Sequence, residues 1–299
     1  MRAQATRNTV DDMTDDPFVA HRGLLFTVAY EMLGTAVDAE DVVQETWLRW
    51  ERIDQSTVES PRAYLVRMVT RQALNRLRSI SRQREDYVGA WLPEPLLTSP
   101  DVAEDVELAE SVSIAMLTVL ETLGPTERAV FVLREVFDTS YDEIADAVGK
   151  SPSAVRQIAR RARKRVAARR PRIQVDPAQQ QAVVDRFLAA VSTGDVQGLM
   201  EVLAPDVVAI ADGGGIAPAS RTPIAGAEKL AALLVRLAEV RNFDAAATWF
   251  NGMPGVRIDY DGGTAAMNLV VEDGRITRIY AVNNPEKLQH LEEVVTLRR

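Results

Sequence analysis

The chain has no cysteine and only two histidines, His21 and His290. Without thiols there is no disulfide and no thiolate metal site, which fits a reducing cytoplasm. Two histidines so far apart in sequence leave no zinc cluster and no histidine-based triad, so neither metal nor cofactor is expected. No apolar run approaches the ~20 residues of a membrane span, and no membrane partner is expected. The N-terminus, with Asp11, Asp12, Asp15 and Asp16, lacks the apolar segment of a secretory signal. Residues 1–17 read as a disordered tail in which Met13 offers a second start. Positive charge is also in the minority, with 35 Lys and Arg against 43 Asp and Glu and a formal net charge of −8. That excludes a whole-surface nucleic-acid coat but not local basic faces.

The scarce cations are concentrated. Between Ser151 and Arg172 stand Arg156, Arg160, Arg161, Arg163, Lys164, Arg165, Arg169 and Arg170, with no acid among them. Ser151 is a good N-cap and Pro152 suits the first helical position. Val155, Ile158, Ala159, Ala162 and Val166 form an inward stripe; Ser153, Arg156, Gln157, Arg160 and Lys164 lie opposite. A short amphipathic helix from Tyr141 precedes it and stops at Gly149, which completes a helix-turn-helix. Arg and Gln near the start of such a helix pair with base edges, and the later arginines grip phosphates. A second basic face runs along the long helix after Pro61: Arg62, Arg67, Arg71, Arg76, Arg78, Arg82 and Arg84. A cationic groove of this kind suits single-stranded DNA.

The periodicity divides the chain further. Helical patterning covers 18–86, with one helix carrying Ala39, Val42, Val43, Thr46, Trp47 and Trp50 inward and leaving Leu48 among polar residues on its outer face. An acidic, proline-containing linker spans 87–110, a second helical domain 111–170 and a short linker 171–176. From 177 to 299 come two helices, a strand around Val207–Ile210, a helix from Ala227 to Val240 and a run of antiparallel strands punctuated by glycines. The expected fold is therefore multidomain: two all-α domains, the second with the helix-turn-helix, followed by an α+β domain.

Here a resemblance becomes specific. Asp38 to Arg49 resembles the core-polymerase-binding helix of bacterial sigma factors of the extracytoplasmic-function class. Ser60 to Arg78 is similar to that family's minus-10-reading and melting segment, and Leu123 to Arg128 with Tyr141 to Arg165 to its minus-35-reading domain. Where the family usually shows Arg-Asn, then Asp and Arg, this chain has Arg71, Gln72, Asn75 and Arg78. Tyr87 to Pro95, Asp212-Gly213-Gly214-Gly215 and Asn284-Pro285-Glu286-Lys287-Leu288 resemble marks of the group with a fused SnoaL-like domain, which has an NTF2-like cone fold.

The resemblance implies that Asp41, Gln44, Glu45 and Leu48 bind a coiled coil of the largest subunit of core RNA polymerase. It implies minus-10 contacts from Arg71, Gln72, Asn75, Arg76 and Arg78. It also implies minus-35 contacts from Ser153, Arg156, Gln157, Arg160, Arg161 and Lys164, so promoter DNA is the second partner. Trp91, Pro93, Asp212, Gly213, Gly214, Asn284, Pro285, Lys287 and Leu288 fall in the regulatory motifs. A fused regulator makes a dedicated anti-sigma factor unnecessary, and the tail after Asn283 is expected to restrain activity. Asp212, Asp259 and Asp261 are candidate acids of a cyclase-like site, but no histidine stands near them in sequence. Trp249, Phe250, Met253 and Met267 suggest an apolar pocket, with an unidentified small ligand left open. Two other readings stand beside this one: an operator-binding regulator that never joins polymerase, and an NTF2-like enzyme with a DNA-binding appendage.

Overall fold

The computed structural model describes residues 16–169, 177–240 and 242–299. The expected N-terminal tail up to residue 15, the linker at 171–176 and the cations Arg170 and Arg172 lie outside the described residues, as does the side chain of Arg82. Among the described residues no helix is long and apolar enough to cross a membrane. The chain forms two compact units: residues 1–81, 123–168 and 297–299 make one, and residues 82–122 and 169–296 the other.

The first unit is helical. Asp16 caps α1 (Pro17–Leu33) by accepting the Phe18 amide, and left-handed Gly34 ends it. Helix α2 (Ala36–Trp50) buries Ala39, Val42, Val43, Thr46 and Trp50, the stripe its spacing predicts. Pro61 opens the long helix α3 (Pro61–Glu85), whose Leu65, Val69, Ala73, Leu74 and Leu77 are buried. Helix α6 (Pro125–Phe131) leads through a wide turn at Val132–Val136 into α7 (Tyr141–Val148) and α8 (Pro152–Ala167). Arg128 of α6 is buried and donates from Nε to the Glu31 carbonyl of α1 at 2.8 Å, tying the two helices together. At the other end of the chain, the Arg298 amide donates to Thr27 Oγ1 at 3.0 Å.

The second unit joins a segment that precedes the helix-turn-helix, 82–122, to residues 169–296 after it. It holds α4 (Val106–Val112), α5 (Ile114–Leu120), α9 (Pro177–Thr193), α10 (Val196–Val202) and α11 (Ala227–Val240). Its strands are β1 (Leu203–Asp212), β2 (Ile224–Ala225), β3 (Phe243–Phe250), β4 (Met253–Tyr260), β5 (Gly263–Glu272) and β6 (Arg275–Val282). They form one sheet in the order β2-β1-β6-β5-β4-β3. The sequence suggested antiparallel strands throughout, but β1 and β6 pair in parallel, Ala209 opposite Ile279 and Ala211 opposite Ala281. The α11 crossover and the β3–β5 meander lie between them, which a local strand pattern does not reveal.

Strand alternation gives the sheet two buried faces. On one face Val183, Val184 and Phe187 of α9 and Leu230 of α11 pack against Val256, Leu269, Ile276 and Ile279. On the other, Leu92, Ile114 and Ala115 pack against Val270, Tyr280 and Val282. Each side chain fully buried this way contributes roughly 1.5–3 kcal/mol. The expected linker is thus part of a core. Leu92, Pro93, Glu94, Pro95 and Leu96 are all buried. The acids and prolines that made 87–110 look like a spacer obscured this, because the apolar residues among them follow no helical or strand period.

Candidate functional site

Helix α2 presents Asp41, Gln44, Glu45 and Leu48 on its exposed side, and Leu48 is 46% exposed. Together with Asn75 and Arg76 of α3 they line a shallow groove of about 610 Å³. An apolar side chain centred in a polar rim is the anatomy of a protein interface. The arrangement follows from the helical period: with Val42, Val43 and Thr46 turned inward, residues 41, 44, 45 and 48 must face out.

The five expected minus-10 residues divide. Asn75, Arg71, Arg76 and Arg78 are exposed. Gln72 is only 6% exposed, and its carboxamide lies 2.8 Å from Thr46 Oγ1, so it ties α3 to α2. It lies against α2 at the edge of the groove rather than on the exposed face with the other four, which departs from the expectation for that position. Its neighbours at 73 and 74 are buried as well, so the helical period places Gln72 on the inner side. Arg71 donates to the Asp146 carbonyl of α7 at 2.6 Å, and Arg76 pairs with Asp38 at 2.6 Å.

In the helix-turn-helix, Ser140 and Glu143 cap α7 reciprocally. Gly149 ends α7 at a φ of 68°, a left-handed turn that glycine adopts without strain. Ser151 then accepts the Ala154 amide and starts α8. Val155, Ile158, Ala159, Ala162 and Val166 are buried, while Ser153, Arg156, Gln157, Arg160, Arg161 and Lys164 are exposed. The cations fall into two sets. Arg165 pairs with Glu127 at 2.5 Å and Arg163 with Glu135 at 3.2 Å, while Arg161 reaches Glu127 loosely at 3.9 Å. Arg156 lies over the Tyr141 ring at 5.7 Å; Arg156, Arg160 and Lys164 make no ion pair among the described residues. Arg156, Arg160 and Lys164 of the expected minus-35 set are thus without an acid, whereas Arg161 of that set, and Arg163 and Arg165, expected on phosphates, lie beside one.

The three regulatory motifs converge in the second unit. Asp212, at the end of β1, is fully buried. Its Oδ1 accepts from the Tyr87 hydroxyl at 2.6 Å and the Gly214 amide at 3.0 Å; its Oδ2 accepts from the Leu92 amide at 2.8 Å and Lys287 Nζ at 2.7 Å. Lys287 Nζ also donates to the Leu92 carbonyl at 2.5 Å and lies 4.1 Å from the centre of the Trp91 ring, a cation–π contact. Arg84 stacks on the same ring at 3.8 Å and pairs with Glu121. Asn284 donates to the Tyr87 hydroxyl at 2.8 Å and, through its backbone amide, to the Asp212 carbonyl at 3.0 Å. Gly214 has φ of 61°, and a Cβ there would stand 2.4 Å from Asn284 Nδ2, so no other residue fits.

Burial chiefly sets the proton affinities of this network. It pulls the Lys287 ammonium down to about 8, against the opposing pull of Asp212. It also raises the Tyr87 phenol, with the Asp212 hydrogen bond adding to the effect, so Tyr87 stays a donor.

The motif residues do not share one task. Pro93 is buried beside Leu92, while Pro285 opens the 3-10 turn that aims Lys287. Leu288 packs on the cluster of Leu92 and Tyr280. Gly213 has the Ala217 carbonyl 2.2 Å from where a Cβ would stand. Asp212 is thus saturated with donors rather than aimed at a substrate. Asp259 is held by Arg257 at 2.9 Å and Thr264 at 2.7 Å, which keeps its carboxyl below the usual range, and Asp261 lies exposed in a turn.

A second clasp was missed by sequence reasoning. Asn251, between β3 and β4, is fully buried with φ of 56°. Its Oδ1 accepts the Leu96 amide at 3.0 Å and its Nδ2 donates to the Val112 carbonyl at 2.9 Å. The Thr98 amide donates to the Trp249 carbonyl at 3.0 Å, and from the other side the Val295 amide donates to the Leu97 carbonyl at 2.9 Å. The Asn-Gly pair at 251–252 signals a turn and nothing more, because its partners lie over a hundred residues away. Asn251→Ala leaves the Leu96 amide and Val112 carbonyl without partners. A loss of roughly 2–4 kcal/mol is expected in chemical denaturation, with faster amide exchange at Leu96. Unchanged exchange there would remove the clasp from consideration.

Comparison with known proteins agrees with this geometry. Residues 18–83 match Sigma-70 region 2 and residues 113–166 match Sigma-70 region 4. The chain is 36% identical over 291 residues to the ECF RNA polymerase sigma factor SigJ of Mycobacterium tuberculosis, covering 90% of this chain and 91% of that protein. It is 34% identical over 276 residues to the probable ECF RNA polymerase sigma factor SigI of the same species, covering 91% and 93%. The crystal structure of Mycobacterium tuberculosis SigJ superposes with a TM-score of 0.74 at 34% identity, covering 91% of this chain and 97% of that one.

Proposed function

Given that this chain belongs to the extracytoplasmic-function family of RNA polymerase sigma factors, we propose that it docks on core polymerase through Asp41, Gln44, Glu45 and Leu48 and reads promoters with two separate basic surfaces. Arg71, Asn75, Arg76 and Arg78 of α3, once their internal bonds open, face the minus-10 element. Ser153, Arg156, Gln157, Arg160 and Lys164 of α8 face the minus-35 element. The observation that carries this reading is the division of α8: one buried apolar stripe, and opposite it Arg156, Arg160 and Lys164, which pair with no acid among the described residues. A site of action in the cytoplasm, with polymerase, follows from the same reading.

The fused C-terminal domain acts as the regulator, through the network of Tyr87, Asp212, Asn284 and Lys287, and no dedicated anti-sigma factor is required. The network's support is its composition: three sequence-distant motifs meet around one buried carboxylate.

Two measurements test this. Leu48→Asp places a charge at the centre of the α2 surface and is expected to weaken core binding by about 2 kcal/mol, roughly thirtyfold, in a pull-down or anisotropy titration with purified core enzyme. Undiminished binding would move the docking surface elsewhere. In run-off transcription, truncation after Asn283 removes Asn284 and Lys287 from the network and is expected to raise output. A drop would mean that this tail assists rather than restrains.

A further inference from the structure

The second unit contains a cavity of about 580 Å³ that none of the contacts above uses. It exists because of an uneven distribution of side-chain size. Leu203, Val271 and Ile276 fill one end of the α9-covered face of the sheet. Toward the other end the strands contribute Ala209, Ala211, Ala265 and Ala281, which leave the space that larger residues would close. Leu234 and Leu237 of α11 and the Pro218–Ser220 loop complete the wall. The residues expected to mark an apolar pocket are mostly elsewhere: Met267 lines the cavity, whereas Phe250 belongs to a separate cluster with Ala266 and Leu291.

The lining decides the kind of occupant. Among the described residues that line the cavity there is no Asp, Glu, Lys, Arg or His. An ion entering would lose its water and meet no counter-charge, which is strongly unfavourable. The volume lies inside the roughly 300–1,000 Å³ typical of small-molecule sites. At the rim, Asn283 donates its amide to the Pro218 carbonyl at 3.0 Å, which leaves its Oδ1 to accept. We propose that this cavity is a receptor site for a neutral, mainly apolar small molecule that offers a hydroxyl or amine hydrogen to Asn283.

The site also has a direct route to the buried network. Ala211 lines the cavity and the next residue is Asp212; Asn283 lines it and the next residue is Asn284. Strand alternation puts Ala211 and Asp212 on opposite faces at the end of β1, and Asn283 and Asn284 follow the end of β6 directly. Occupancy therefore shifts the groups that hold Tyr87 and Lys287. This consequence rests on the regulatory reading above, whereas binding itself does not.

The test uses full-length protein and two fluorescent probes. N-phenyl-1-naphthylamine is neutral with one N–H; 8-anilinonaphthalene-1-sulfonate is a close analogue that carries a sulfonate. The neutral probe is expected to bind at one site per chain, and the anionic one at least about tenfold more weakly. Ala281→Leu fills the cavity and should weaken the neutral probe by about tenfold or more. Leu237→Trp blocks the exposed rim with little risk to folding and should do the same. No binding, equal binding of the two probes, or affinity unchanged by Leu237→Trp overturns the site. Saturating neutral probe should also alter amide exchange at Tyr87 and Leu92; saturation without that change overturns the coupling. Neither readout involves polymerase or promoter, so failure here is distinct from failure of the sigma-factor reading.

Discussion

Asp212→Ala is expected to lower the stability of the C-terminal unit by about 3–5 kcal/mol, the usual cost of stranding one partner of a buried ion pair. The loss exceeds that of the pair alone. The Tyr87 hydroxyl and the Leu92 and Gly214 amides all lose their acceptor, and Lys287 keeps a buried charge. Lys287→Met should cost less, about 1–3 kcal/mol, because Asp212 retains its other donors and only the Leu92 carbonyl is orphaned. Chemical denaturation of full-length protein ranks the two. If Lys287→Met proves the more damaging, the carboxylate is not the hub.

The network also sets a pH dependence with a definite sign. Lys287 titrates near 8 in the folded chain and at its ordinary, higher value when unfolded. Below about 8 both states hold the proton, and the cost of burying the ammonium is fully present. Between 8 and the unfolded value the unfolded chain binds more protons, so stability rises with pH. Tyr87, with its phenol raised, works in the opposite direction but only above about 10. Melts between about pH 7 and 9.5 should therefore show wild type gaining on Lys287→Met. Parallel curves for the two proteins would exclude the lysine as the source.

The second large effect is expected in promoter reading. Arg160→Ala and Gln157→Ala should each reduce transcription from a cognate promoter by roughly 5–150-fold, the equivalent of about 1–3 kcal/mol per base contact. Arg163→Ala should do much less, because that side chain is spent on Glu135 and Tyr141. The contrast matters more than either number: a general loss of positive charge would weaken binding alike at Arg160 and Arg163 and leave the uncharged Gln157 without effect. Run-off assays on promoters altered only in the minus-35 element would show whether Arg160→Ala flattens discrimination there. If Arg163→Ala is as damaging as Arg160→Ala, the division of α8 into paired and unpaired cations has no bearing on reading.

Much of this was legible beforehand where the signal is local. The α2 stripe, the Ser151-Pro152 start, the Gly149 turn and the helix Ala227–Val240 all appear as expected, because each depends on residues a few positions apart. Gln72 shows the limit: the family resemblance placed it with the minus-10 readers, but helical geometry turns it toward Thr46. The resemblance flagged Asp212, Asn284 and Lys287 as separate marks, yet that they share one hydrogen-bonded centre depends on contacts spanning 75 to 197 residues. The fate of 87–112 was the least legible. Its prolines and acids, with no Lys or Arg among them, read as a spacer, while its attachment depends on Asn251, far along the chain.

That attachment bears on domain exchange. Helix α5 falls within the stretch that matches Sigma-70 region 4, yet Ile114 and Ala115 are buried against Val270 and Tyr280. A chimera cut at the family borders would carry a bare greasy seam into its new host, and the donor sheet would be left with a matching gap. Engineers who want to graft this C-terminal unit onto another sigma factor will have to transplant residues 82–122 together with 169–296, as a single inheritance.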